Sequence, residues 1–199
     1  KIKDTTDYPS FALALGDLTD TAGKDEFEQY NTFVQTLENE YNIKTYNTIG
    51  NHDCYLSGWD NWKNSCFPNT SFYKFETSNF SYYVLDTATG TIGKNQLNHL
   101  KNEMLKDSKP KVICSHYPLY TSTLLFCMGD SYERNELINL FQRTNVKIVL
   151  SGHIHKNETV DLGTFAQQTI TSFTYYQKIG ILKVDEDNKK VEFEKIDLK

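Results

Sequence analysis

Five short apolar runs, each cut off by a turn or polar residue, constrain this chain more than any other feature. They are FALAL before Gly16, KTYNTI before Gly50, SYYVL before Asp86, KVIC before Ser115 and KIVL before Ser151. Runs of this length, bounded by glycine or polar clusters, read as buried strands rather than helices. The segments between them have a different period. GKDEFEQYNTFVQTLENEY places Phe27, Tyr30, Phe33, Val34, Leu37 and Tyr41 on one face at the roughly 3.6-residue period of a helix. KNQLNHLKNEML does the same with Leu97, Leu100, Met104 and Leu105, and ERNELINLFQR with Leu137, Leu140 and Phe141. Strands alternating with amphipathic helices predict an α/β fold with sheets inside and helices outside. Two stretches differ: SFYKFETSNFSYYVLD reads as a hairpin turning at 77–79, and GILKVDEDNKKVEFEKIDL as another turning near 187–188.

The chain of 199 residues, with no long linker and no repeat, is expected to form one domain over 1–199. A net charge of −5 argues against a surface that coats nucleic acid. It leaves room for a phosphate-bearing substrate if cations supply the positive charge. The arginines are Arg134 and Arg143 alone, so a guanidinium clamp on phosphate is not expected. No apolar run is long enough to span a bilayer. Cys54, Cys66, Cys114 and Cys127 lack the paired C-x-x-C spacing of a structural zinc site. Cys114 reads as a buried thiol, and the other three either include one disulfide or are all free.

In α/β folds, ligands bind beyond the C-terminal ends of the strands. Four polar clusters occupy that place in order: GDLTD (16–20), GNHD (50–53), SHYP (115–118) and SGHIH (151–155), and they hold four of the five histidines. His99 lies in an amphipathic helix and reads as structural. The set Asp17, Asn51, His116, His153 and His155 fits a metal site. A dinuclear centre needs one carboxylate between two cations about 3.5–4 Å apart, and Asp17, after a glycine at a sharp strand end, can project there. Imidazole and amide ligands suit manganese, iron or zinc. In an extended backbone His153 and His155, two apart, would point the same way. Neighbours Asn51 and His52 would point oppositely, freeing His52 to face substrate with Asp53 orienting it. Asp20 reads as a helix N-cap.

These four clusters, in this order, resemble the successive motifs of the calcineurin-like metallophosphoesterase superfamily, from about Phe11 to His155. The resemblance implies a four-layer αββα sandwich of two mixed sheets flanked by helices. It implies hydrolysis of phosphomonoesters or phosphodiesters by a hydroxide bridging two divalent ions, with a small phosphoester as partner. By the same resemblance Asp17 bridges both ions; Asn51, His116 and His153 complete the second site; His155 belongs to the first; and His52 protonates the leaving oxygen. GNHD runs into Cys54 without a nearby arginine, unlike protein Ser/Thr phosphatases. GDLTD lacks the tyrosine that purple acid phosphatases carry three residues after the bridging aspartate.

The family's opening D-x-H motif is absent, since the fifteen residues before Gly16 contain no histidine. KIKDTTDYPS has no methionine and no signal-peptide pattern, and reads as the tail of a helix before the second strand. The expectation is a chain that lacks the first strand–helix unit, with one tight ion site, two ligands left for the other, and exposed strand edges that favour homo-association. The alternative is a degenerate member, a catalytically impaired fold that serves as a metal-binding or protein-binding module. The loops at 54–72 and 119–133 are expected to shape the substrate, with Tyr55, Trp59, Trp62, Tyr117 and Tyr120 as candidate walls.

Overall fold

The computed structural model describes residues 8–198. FALA forms strand β1 (Phe11–Ala14), which feeds helix α1 (Lys24–Tyr41). The helix starts at Gly23, whose N–H donates to the Glu26 carboxylate, the reach-back half of a capping box. The same carboxylate accepts the N–H groups of Asp20 and Thr21. Asp20 is therefore not the cap that its position suggested. Asn42, at φ 55°, ends the helix in the left-handed conformation that asparagine tolerates. Phe27 is buried on the inner face, whereas Phe33, expected on that face, is half exposed.

Strand β2 (Lys44–Asn47) lies parallel to β1, and a 3₁₀ turn (His52–Cys54) follows. Helix α2 (Gly58–Ser65) then covers a region expected to be loop. Its GWDNWKNS carries little apolar period, and it is held by the burial of Trp62 and by Gly58, where a Cβ would meet the Asp53 carbonyl at 2.3 Å. Strands β3 (Tyr73–Glu76) and β4 (Ser81–Val84) form the first predicted hairpin. Helix α3 (Lys94–Met104), strand β5 (Lys111–Ser115), helix α4 (Ser131–Arg143) and strand β6 (Val146–Ser151) follow. Two polar strands, β7 (Glu158–Asp161) and β8 (Ala166–Thr169), precede the short helix α5 (Phe173–Tyr176) and the second predicted hairpin, β9 (Lys178–Asp185) with β10 (Lys190–Asp197).

The main sheet has the order β3-β4-β5-β6-β8-β7, parallel through β4-β5-β6-β8 and antiparallel at both edges. Side chains alternate across it. On one face Tyr83, Ile113 and Val149 pack with Leu97, Leu100 and Met104 of α3 and with Leu137, Leu140 and Phe141 of α4. On the other, Tyr82, Val84, Val112, Cys114, Ile148 and Leu150 pack against Phe11 and Leu13 of β1 and against Leu182, Val184, Val191 and Phe193 of the β9–β10 hairpin. A third cluster, with Phe27, Ile49 and Trp62, seats α1 and α2. The layers run helix, sheet, sheet, helix. The second layer is built from the β1–β2 and β9–β10 pairs, which do not hydrogen-bond to each other among the described residues. No described helix is long and apolar enough to cross a membrane.

Candidate metal centre

The site forms where the C-terminal ends of β1, β2, β5 and β6 meet. After β1 the chain turns through two consecutive left-handed residues, Gly16 at φ 91° and Asp17 at φ 54°. A Cβ on Gly16 would stand 2.4 Å from Nδ1 of His116, so only glycine lets the turn sit against that ring. At Gly50 a Cβ would meet the Asp17 backbone nitrogen at 2.2 Å, so the GD and GN turns interlock. Asp17 is thereby fixed between them: its Oδ1 accepts the His52 N–H at 3.0 Å, and its Oδ2 lies 3.2 Å from His116 Nε2.

His116 is buried, and its Nδ1 stands 2.8 Å from the Leu15 carbonyl. That carbonyl can only accept, so Nδ1 carries a proton and the ring turns Nε2 toward Asp17, Asn51 and His153. Around Nε2 stand Asp17 Oδ2, Asn51 Oδ1 at 3.1 Å and His153 Nδ1 at 3.2 Å. The ligand atoms of Asp17, His116 and His153 all lie within 4.8 Å of one another. This donor set of one carboxylate, one amide oxygen and two imidazoles, gathered so closely, suits a borderline divalent metal. Burial pushes His153 down to about 4, and the nearby His116 adds to this, so its ring is neutral and ready to ligate at neutral pH. For Asp17, burial would raise the pKa, but the hydrogen bonds with His116 and the His52 N–H outweigh it and hold the carboxyl below its usual range.

Supporting contacts hold these side chains in place. Thr87 Oγ1 accepts the N–H groups of His116 and Tyr117 at 3.1 and 3.0 Å. Tyr117 stacks on His153 with ring centroids 3.7 Å apart. The hydroxyls of Ser115 and Ser151 bond across the β5 and β6 ends.

His52 sits at the rim. Its Nδ1 lies 2.8 Å from the Asp20 carbonyl and 3.5 Å from an Asp20 carboxylate oxygen. Asp53, expected to orient that ring, does not touch it. The 3₁₀ turn sends Asp53 inward to full burial, where Oδ1 accepts the Thr19 N–H and hydroxyl, each at 3.0 Å, and Oδ2 accepts the Gly50 N–H at 2.8 Å. Burial pushes its pKa up to about 6 against the pull of those bonds. Asp53 ties together the turns that carry Asp17 and Asn51, and Asp20 is the partner of His52.

His153 and His155 do not lie on an extended backbone. Both have left-handed φ values, 65° and 53°, and Ile154 N–H turns back to the Gly152 carbonyl. Strand alternation therefore does not hold in this bend. His153 joins the cluster, whereas His155 stands apart beside Tyr175, with ring centroids 5.6 Å apart. His99 stays in α3, 3.3 Å from Glu103 and against Phe72. All four cysteines are free, and burial pushes Cys54, Cys66 and Cys114 up to about 12, so they are poor thiolate ligands. Of the candidate walls, Trp62 is core and Tyr120 lies under the Arg134 guanidinium at 4.6 Å, whereas Tyr55 and Trp59 are exposed. Thr87, Phe126 and Tyr175 escaped sequence reasoning, because nothing local marks a residue that is brought to the site from another element.

A family model described as calcineurin-like phosphoesterase matches residues 5–157. A 3′,5′-cyclic-nucleotide phosphodiesterase of Nostoc sp. is 26% identical over 154 residues, 72% of this chain and 55% of that protein. A protein of Rhodococcus erythropolis named a probable cyclic nucleotide phosphodiesterase is 22% identical over 186 residues, 87% of this chain and 60% of that one. The chain thus spans less than two thirds of these relatives' length. Among solved structures, a dimetal phosphatase from Danio rerio superposes with a TM-score of 0.67 at 13% identity, covering 82% of this chain and 72% of its own. A purple acid phosphatase from yellow lupin (Lupinus luteus) seeds gives 0.63 at 17%, covering 85% and 38%. At these identities the structural likeness speaks for the fold.

Proposed function

The chain belongs to the calcineurin-like phosphoesterase family, and we propose that it hydrolyses small phosphoesters with the help of a divalent metal ion, cyclic nucleotide phosphodiesters being the class its relatives' names support. One observation carries the reading: a carboxylate oxygen of Asp17, the amide oxygen of Asn51 and Nδ1 of His153 converge on Nε2 of His116, at 3.2, 3.1 and 3.2 Å. These four residues would hold the ion, and Asp17 with His155 would contribute to a second. A bound divalent ion supplies Lewis acidity toward the phosphoryl oxygens and makes water a nucleophile at neutral pH. The remaining chemistry falls to the chain. His52, partly exposed beside the cluster, holds a proton for the departing alkoxide. The Asp20 carbonyl holds the ring at Nδ1, which leaves Nε2 for the leaving group.

A second reading, an impaired fold that binds metal or protein without turnover, is favoured by the position of His155 outside the cluster, which leaves few ligands for a second ion. Turnover of an aryl phosphodiester in the presence of manganese, with metal content measured on the same sample, separates the two. The hydrolase reading expects metal-dependent turnover that drops about 10²–10⁴-fold in His52→Ala while the ion stays bound. A chain that retains its ion yet turns over nothing with manganese, iron or zinc overturns that reading in favour of the module.

A further inference from the structure

Three exposed aromatic rings, from three separate segments, border the histidines of this site. Tyr55, just after the 3₁₀ turn, lies 4.9 Å from the His52 ring, Phe126 in the β5–α4 loop 6.3 Å from His153, and Tyr175 in α5 5.6 Å from His155, all between ring centroids. Phe126 and Tyr175 are each 69% exposed and Tyr55 44%. Rings this open bury too little of themselves to be explained by packing. A lone exposed aromatic needs no explanation, but a group gathered around one polar centre marks a binding surface. Phe126 and its neighbour Leu124 also sit at φ 58° and 56°, a conformation that large side chains seldom adopt and that here presents Phe126 to solvent. Neither arginine competes for the role, since Arg134 donates to the Met128 carbonyl and Arg143 to that of Asn139.

We propose that Tyr55, Phe126 and Tyr175 form an aromatic rim that takes the organic group of the substrate by its face. The chain then prefers phosphoesters that carry a planar ring over those with a small alkyl group. The inference rests on the phosphoesterase reading above, and it deepens that reading by assigning specificity to residues outside the metal ligands. Nucleobases and simple aryl groups share the required chemistry.

Calorimetric titration of the manganese-loaded protein with phenylphosphonate and methylphosphonate tests the rim without turnover. The expected result is about tenfold tighter binding of phenylphosphonate, the scale of one stacked ring. In Phe126→Ala/Tyr175→Ala the gap closes while methylphosphonate affinity stays the same. A matched pair, adenosine 5′-monophosphate and ribose 5-phosphate, separates the sources. A gap there assigns the rim to nucleobases, and a gap only with phenylphosphonate assigns it to aryl groups. Equal affinities in both pairs, or a gap that survives in the double variant, overturn the rim and leave the phosphoesterase reading standing. No binding of any of the four anions to the loaded protein overturns that underlying reading, and the rim with it.

Discussion

At the scale of single residues, the site divides labour in a way that chain adjacency does not reveal. Asp53 follows His52 directly, so reading along the chain pairs them, but the 3₁₀ turn separates them and gives Asp53 to Thr19 and Gly50. Removing its carboxylate would leave two buried N–H groups without acceptors. Asp53→Ala is therefore expected to cost about 2–4 kcal/mol in urea unfolding of the metal-free protein; a change within about 0.5 kcal/mol would mean the two turns hold without it. Asp20 offers the opposite case. Its carbonyl stands closer to His52 than its exposed carboxylate does, 2.8 against 3.5 Å. Asp20→Ala keeps the carbonyl, so turnover should fall by less than about tenfold, the scale of an exposed ion pair. A loss as deep as that of His52→Ala would instead make the carboxylate the working partner.

At the scale of elements, the sequence was legible wherever local period and burial agree. The five apolar runs all became strands, and the three amphipathic stretches became α1, α3 and α4, because each carries its own hydrophobic face. Strands β7 and β8, ETVD and AQQT, carry no such face. They pair at the sheet edge through long-range ladder bonds that leave little local trace. The 151–155 bend failed for a related reason, since two left-handed histidines are stabilised by their surroundings rather than by local preference. Another feature invisible from the sequence lies at the opposite ends of β4 and β5. Asp107 there accepts from Tyr83 at 2.9 Å, Lys74 at 3.0 Å and the Lys109 N–H at 3.0 Å, next to the fully buried Lys111. Burial alone would raise its pKa, but the bonds from Lys74, the Lys109 N–H and Tyr83 prevail and hold the carboxyl far below its usual range. A depressed folded pKa gives stability that is present above the unfolded value of 3.8 and lost as the pH falls below it. Asp107→Ala should thus cost about 3–5 kcal/mol at pH 7, with the gap to wild type narrowing as the solution is acidified below that value. Parallel stability profiles across that range would remove Asp107 from this role.

At the scale of the whole molecule, the candidate ligand set straddles the two sheet layers. Asp17 and Asn51 come from turns after β1 and β2, whereas His116 and His153 follow β5 and β6 of the main sheet. Among the described residues β1 pairs only with β2, so its layer meets the main sheet through side chains such as Phe11 and Leu13 rather than through a continuous ladder. An ion held by two ligands from each layer would act as a clamp between them, and its binding free energy would become stability of the whole fold. A ligand that binds only the folded state at a hundredfold excess over its Kd adds about 2.7 kcal/mol. Manganese or zinc should therefore raise the melting temperature of this chain in a concentration-dependent way. The binding isotherm should saturate at one tight ion per chain, because His155 stands outside the cluster. His153→Ala should abolish both the shift and the tight site, while Tyr55→Ala, at the rim, should keep both. If the ion tightened only the local turns, amide exchange would slow around 15–17 and 50–53 alone. If it clamps the layers, protection rises along β1, β2, β5 and β6 together, and protection confined to the turns would show that the two sheets hold each other without it.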